Sequence, residues 1–235
     1  MKSSSGFTLK AVATLAIAAL STLHSQAQTT PRTMLVTGIA GDVQYARGGG
    51  AFSTVSVGTK LGKGDVVKTG VGSHIDIDTG DNTGQIQLAP QSSIAIDEVT
   101  KTRTGADLVT ETQLSLNSGA MYARVNKLAK GSRYEIATPN GIAGIRGSTL
   151  SLTADGQLTM GEGEAAIAYG PNDVVVVKAG ETVGPKDRPA RPAPGQWLSD
   201  IVHALRDALT HGIGRELRPF VPPIEPFISP TLPGR

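Results

Sequence analysis

From Met34 to about Val183 apolar residues alternate with polar ones at a period of two. Ile75 and Ile77, Ile86 and Leu88, Ile94 and Ile96, Leu114 and Leu116, and Leu150 and Leu152 each flank a polar residue, the pattern of strands buried on one face. Gly80-Asp81-Asn82, Asp155-Gly156 and Gly170-Pro171-Asn172-Asp173 supply turns between them. Val174 to Val177 breaks the alternation with a continuous apolar run, which predicts a strand buried on both faces. Beyond residue 184 the pattern changes. Pro189, Pro192 and Pro194 mark 185–195 as a stiff linker. Trp197, Ile201, Leu205 and Leu209 then recur every fourth residue, with Leu198 and Val202 beside them and Asp200, His203, Arg206 and Asp207 opposite. That spacing predicts one amphipathic helix over 196–212, ended near Gly212. From 213 to 235, Pro219, Pro222, Pro223, Pro226, Pro230 and Pro233 predict an extended tail carrying Phe220, Ile224, Phe227 and Leu232.

Laid on itself, the β-region shows a weak internal duplication. Gly41 to Arg47 resembles Gly119 to Arg124, Leu61 to Gly64 resembles Leu128 to Gly131, Gly72 to Ile77 answers Gly147 to Leu152, and Gln85 to Leu88 answers Gln157 to Met160. Two similar halves sharing one core predict an all-β fold, a β-sandwich or β-roll of short strands with internal two-fold duplication. On this alignment Pro139 to Gly144 is extra in the second half, a place where specificity could reside.

Composition adds compartment and excludes several chemistries. The chain has 235 residues and no cysteine, so disulfides and thiolate metal sites drop out. Lys2 and Lys10, the apolar run Ala11 to Leu20, and small residues at Ser25 and Ala27 read as a signal peptide over 1–27, cleaved after Ala27. An uncleaved anchor is the alternative, but the run is short for a bilayer span. Losing two of 22 basic residues against 20 acidic ones leaves the mature chain near neutrality, which argues against nucleic acid as a partner. The expected location is periplasmic or secreted.

The stretch Thr138 to Leu152 concentrates one Pro, three Gly and a single Arg between two alternating segments, as a constrained strand connection requires. Asn140 and Arg146 are its candidate ligand-binding residues. The competing reading is that Arg146 braces the bend by donating to its carbonyls. Other chemistry is sparse. His74 is the sole histidine of the β-region, so no histidine triad or metal cluster forms. Asp76, Asp78 and Asp81 fail the EF-hand pattern, because Gly80 takes the fifth position. Glu162 and Glu164, two apart on one strand face, would lie about 6 to 7 Å apart, a separation that glycosidase carboxylates can have. No cofactor is implied. Two function classes therefore compete: a non-enzymatic binding module and a glycan-acting hydrolase using Glu162 and Glu164.

Several spaced motifs also carry a family resemblance. Gly64-Asp65-Val66-Val67-Lys68-Thr69-Gly70, Thr138-Pro139, Arg146-Gly147-Ser148, Glu162-Gly163 and Lys178-Ala179-Gly180-Glu181 occur in this order and resemble the FecR domain family over residues 34–184. Ser148 stands where that family usually has Thr. The resemblance implies a sensory or scaffolding domain that works through envelope proteins or polysaccharides. The familiar members have a cytoplasmic segment that handles a sigma factor, then one membrane span. Here the predicted signal peptide directly precedes the domain, which puts transmembrane signalling by this chain alone in doubt. The predicted helix supplies a second interaction element, through Trp197, Ile201, Leu205 and Leu209, with self-association as one outcome. Its mixed polar face speaks against membrane-surface binding.

Overall fold

The structure, a computed structural model, describes residues 28–186. The predicted signal peptide, the helix over 196–212, the tail and nearly all of the linker lie outside the described residues. Within them every regular element is a strand. No helix among them is long and apolar enough to cross a membrane.

The first half contains β1 (Thr29–Pro31), β2 (Met34–Ala40), β3 (Val43–Ala46), β4 (Ser53–Thr54), β5 (Lys60–Leu61), β6 (Val66–Thr69), β7 (His74–Asp78), β8 (Gly84–Leu88), β9 (Ser93–Thr104) and β10 (Asp107–Ser118). The second contains β11 (Ala120–Val125), β12 (Arg133–Thr138), β13 (Gly141–Ile145), β14 (Ser148–Thr153), β15 (Leu158–Glu162), β16 (Glu164–Gly170), β17 (Asp173–Lys178) and β18 (Thr182–Val183). They form two sheets. The larger runs β17-β16-β13-β12-β10-β9-β6-β3-β4, with β1 added on β9, and the smaller runs β18-β15-β14-β11-β8-β7-β2-β5.

One core lies between the sheets. Ile75, Ile77 and Leu88 from the smaller sheet meet Ile94, Ile96, Leu114, Leu116 and Ile136 from the larger, all fully buried. Each such side chain contributes about 1.5 to 3 kcal/mol in gross terms, and in β7, β10 and β14 the period-two pattern supplies it on one face only. The outer face of the smaller sheet is polar and open, with Gln85, Tyr122, Arg124 and Thr159 exposed.

The topology repeats. β2, β3, β6, β7, β8, β9 and β10 fall in the smaller, larger, larger, smaller, smaller, larger and larger sheets, and β11 to β17 repeat that order. The pairings repeat as well: β2 with β7 becomes β11 with β14, β6 with β9 becomes β13 with β16, and β9 with β10 becomes β16 with β17. The halves meet head to tail. β8 pairs with β11, as β15 later pairs with β18, while β10 takes β12 in parallel from Glu111↔Arg133 to Ser115↔Ala137.

This arrangement corrects two details of the sequence alignment. Pro139 to Gly144 is not an addition: it makes the β12–β13 turn and most of β13, the counterpart of β6. The extra segment is in the first half, between Ala46 and Val66, where β4 and β5 cover the outer edges of β3 and β2. The matches of Gly41–Arg47 to Gly119–Arg124 and of Leu61–Gly64 to Leu128–Gly131 are likewise one strand out of step, since β3 lies in the larger sheet and β11 in the smaller, and the second match sets β6 against β12 although its counterpart is β13. Similar glycine turns precede β3 and β11, with φ of 77° at Gly41 and 75° at Gly119, and the similarity follows the turns.

Candidate functional site

The signature residues are corners rather than reagents. The Thr69 hydroxyl donates to Ala89 O at 2.6 Å and accepts from the Ser92 N–H at 2.9 Å. Asp65, almost fully buried, accepts the Gly62 N–H through Oδ2 at 2.9 Å. The Thr138 hydroxyl donates to Gly141 O at 3.0 Å across the β12–β13 turn. Gly163 and Gly147 form the tightest corner. Gly163 has φ of 75°, and a Cβ there would stand 2.7 Å from Gly147 O, so any other residue both strains the backbone and collides. Beside it the Ser148 hydroxyl donates to Glu164 O at 2.7 Å, a bond that either Ser or Thr can make.

The same corner separates the two glutamates. Glu162 ends β15 in the smaller sheet and Glu164 begins β16 in the larger. The chain crosses between sheets at Gly163, so the carboxylates do not share one strand face as the spacing predicts. Glu162 is exposed and accepts from the Thr149 hydroxyl at 3.3 Å.

Asn140 and Arg146 are not brought together either. They stand at opposite ends of β13, roughly 20 Å apart at the rise of a strand. The Asn140 Nδ2 donates to Asp155 O at 3.0 Å, tying two turns together. Arg146 is half-buried, and among the described residues its guanidinium has no hydrogen-bond or ion-pair partner.

The bracing role falls to Arg32 instead. Its guanidinium donates to Thr100 O at 3.2 Å, Thr83 Oγ1 at 3.3 Å, and also to Thr79 O and Thr112 Oγ1. It thereby joins β9 and β10 to the β7–β8 turn. Burial lowers the Arg32 pKa and raises that of the buried Tyr134 beside it. The Tyr134 hydroxyl is buried and has no hydrogen-bond partner among the described residues. The sequence signal for Arg32 is slight, a basic residue just ahead of the first long strand. The three aspartates are also engaged: Asp76 accepts from Gln87 Nε2 at 2.7 Å, Asp78 from Gly80 N–H at 2.7 Å, and Asp81 pairs with Lys101 at 2.7 Å. Among the described residues no cluster of metal-ligating side chains occurs.

What remains without a second described strand is an edge. β17 ends the larger sheet and, among the described residues, pairs only with β16. Ala179 N–H donates to Gly163 O at 2.9 Å, which puts the odd-numbered residues of β17 on the β16 ladder. Even-numbered residues therefore turn their N–H and C=O groups outward. Lys178 confirms the parity, since its N–H reaches Glu181 Oε2 at 3.0 Å and its C=O accepts from Glu181 N–H at 2.9 Å. Along the same line the outward backbone groups of Val174 and Val176 have no partner among the described residues. Edge strands usually carry Lys, Pro or a bulge that discourages pairing, yet the middle of this one is four valines. The alternation signal could not reveal the edge, because a both-faces-apolar run resembles a central strand.

The profile of the family described as FecR protein matches residues 65–168. A solved structure of a candidate anti-sigma factor from Parabacteroides distasonis is similar at 13% identity and a TM-score of 0.38, over 50% of this chain and 57% of that one. The chain thus spans little more than half the length of that relative. No curated protein matches.

Proposed function

From the premise that the chain carries a FecR family domain at residues 65–168, we propose that it is a non-enzymatic interaction module of the cell envelope, sensory or scaffolding in role, which receives a strand of a partner protein along β17. The observation that carries this reading is the line of outward backbone groups at Val174 and Val176. Inside the molecule, the equivalent edge of β10 is occupied by β12 in parallel, so the repeat itself supplies a precedent for what this edge takes. Strand addition gives affinity through main-chain hydrogen bonds. A protein strand suits such a row better than a glycan, because its donors and acceptors recur at the same interval. The separation of Glu162 from Glu164 by a sheet crossing speaks against the hydrolase reading.

Arg146, with its guanidinium unengaged, is the residue of the predicted pair offered to a ligand; Asn140 serves the turn. The basic start, short apolar run and small residues of 1–27 support export to the periplasm or beyond. N-terminal mass spectrometry of the native protein should find Gln28 first; intact Met1 in the membrane fraction would mean an anchor instead.

Val174→Pro tests the edge. It deletes one outward N–H, and proline is tolerated on edge strands. The purified variant should keep its thermal midpoint within a few degrees and lose the envelope protein that copurifies with the wild type. Undiminished copurification would refute strand addition at β17.

A further inference from the structure

The outer face of the larger sheet over β12, β13, β16 and β17 is apolar and already covered. The register places Glu135, Gly144, Ala166 and Val176 in one row across these strands, and Ala137, Ile142, Ala168 and Val174 in the next. Their neighbours Ile136, Ala143, Ile167 and Val175 point the other way, into the core. Ala137, Ile142, Ala166, Ala168 and Val176 are nonetheless only 0–6% exposed in the whole chain. Every described strand belongs to this sheet or to the one on its other face, so no described strand accounts for that burial. One polar group points into the same surface. Glu135 is 3% exposed; its Oε1 meets Arg133 Nε at 3.4 Å, and its Oε2 is buried without a partner.

We infer that residues 197–209 of this same chain dock on this face, setting Trp197, Ile201, Leu205 and Leu209 onto the floor made by Ala137, Gly144, Ala166 and Ala168. Gly144, Ala166 and Ala168 carry little or no side chain between Ile142 and Val176, and a stripe of large side chains every fourth residue is the shape that packs over small ones. The segment also brings donors for a buried carboxylate oxygen, in the indole N–H of Trp197 and the side chains of His203 and Arg206. Reach is sufficient. The described chain stops at Lys186, beside β18, and the eleven residues from there to Trp197 span up to about 36 Å when extended. Passing the sandwich edge and crossing four strands needs about 10 Å plus about 14 Å. A solitary helix of this length is marginal in water, so docking is what would give the segment a fixed structure.

Trp197 is the sole tryptophan, which makes the full-length chain its own reporter. Its emission should be blue-shifted and its acrylamide quenching several-fold below that of free tryptophan, both independent of protein concentration. Ile201→Asp with Leu205→Asp, which changes no residue of the sandwich strands, should expose Trp197. It should also raise carbene labelling of Ile142 and Val176 several-fold in the same sample. Ala168→Arg should do likewise by raising a long side chain from that floor. A solvent-exposed Trp197 in the wild type, burial that appears only as a dimer forms in light scattering, or labelling of Ile142 and Val176 unchanged by the double substitution would each overturn the inference. The last result would leave residues 1–27 as the cover.

Discussion

Loss of Arg32 should cost the fold more than loss of any other cation among the described residues. Its fork satisfies carbonyls and hydroxyls from three elements at once, and removing it strands several buried acceptors. Arg32→Ala should therefore destabilise by roughly 2 to 4 kcal/mol in denaturant melts. Arg32→Lys should recover only part of that, since an ammonium cannot reproduce the planar fork. Arg146→Ala should change stability by no more than about 0.5 kcal/mol, as for other substitutions away from engaged groups. Glu135 carries a pH dependence. Burial raises its carboxyl pKa, against the pull of Arg133, so the folded protein holds this proton more tightly than the unfolded chain. The resulting stability is fully present below the unfolded value of about 4.3 and declines as pH rises through the folded value. Thermal melts from pH 4 to 8 should show Glu135→Gln more stable than the wild type at neutral pH, with the advantage shrinking towards pH 4. A constant difference across that range would mean that the carboxylate is better satisfied than its geometry indicates.

At the level of elements, the corner between β15 and β16 explains why a glycine-rich signature can be specific without being chemical. Gly163→Ala would place a methyl 2.7 Å from Gly147 O at positive φ, and should cost roughly 1 to 3 kcal/mol. Equilibrium unfolding measures it directly, and a loss under about 0.5 kcal/mol would show that the corner can relax. The strands themselves were legible in the sequence, because Ile75 and Ile77 or Leu150 and Leu152 follow the pleat. Their assignment to sheets was not. A period of two says that one face is buried, but not which of two facing sheets buries it. For the same reason Glu162 and Glu164 read as neighbours although Gly163 sends them to different sheets, while Val175 to Val177 are buried on both faces as the apolar run predicts and still form an edge. The parallel pairing of β10 with β12 leaves no local trace, since neither strand contacts the other through a turn.

At the scale of the whole molecule, a head-to-tail repeat has two unlike ends. The segment between Ala46 and Val66 closes the first end by laying β4 and β5 on β3 and β2, while β18 closes the smaller sheet at the second. Since β4, β5 and β18 are only two residues long, β17 is the one terminal strand of any length among the described residues. The most direct measurement is an NMR titration of the isotope-labelled chain with a peptide copying residues 129–141, which contains β12. If β17 is equivalent to β10, the amides of Val174 and Val176 should shift saturably and exchange more slowly with solvent, and Val174→Pro should abolish the effect. Shifts confined to other edges, or none at millimolar peptide, would contradict the account.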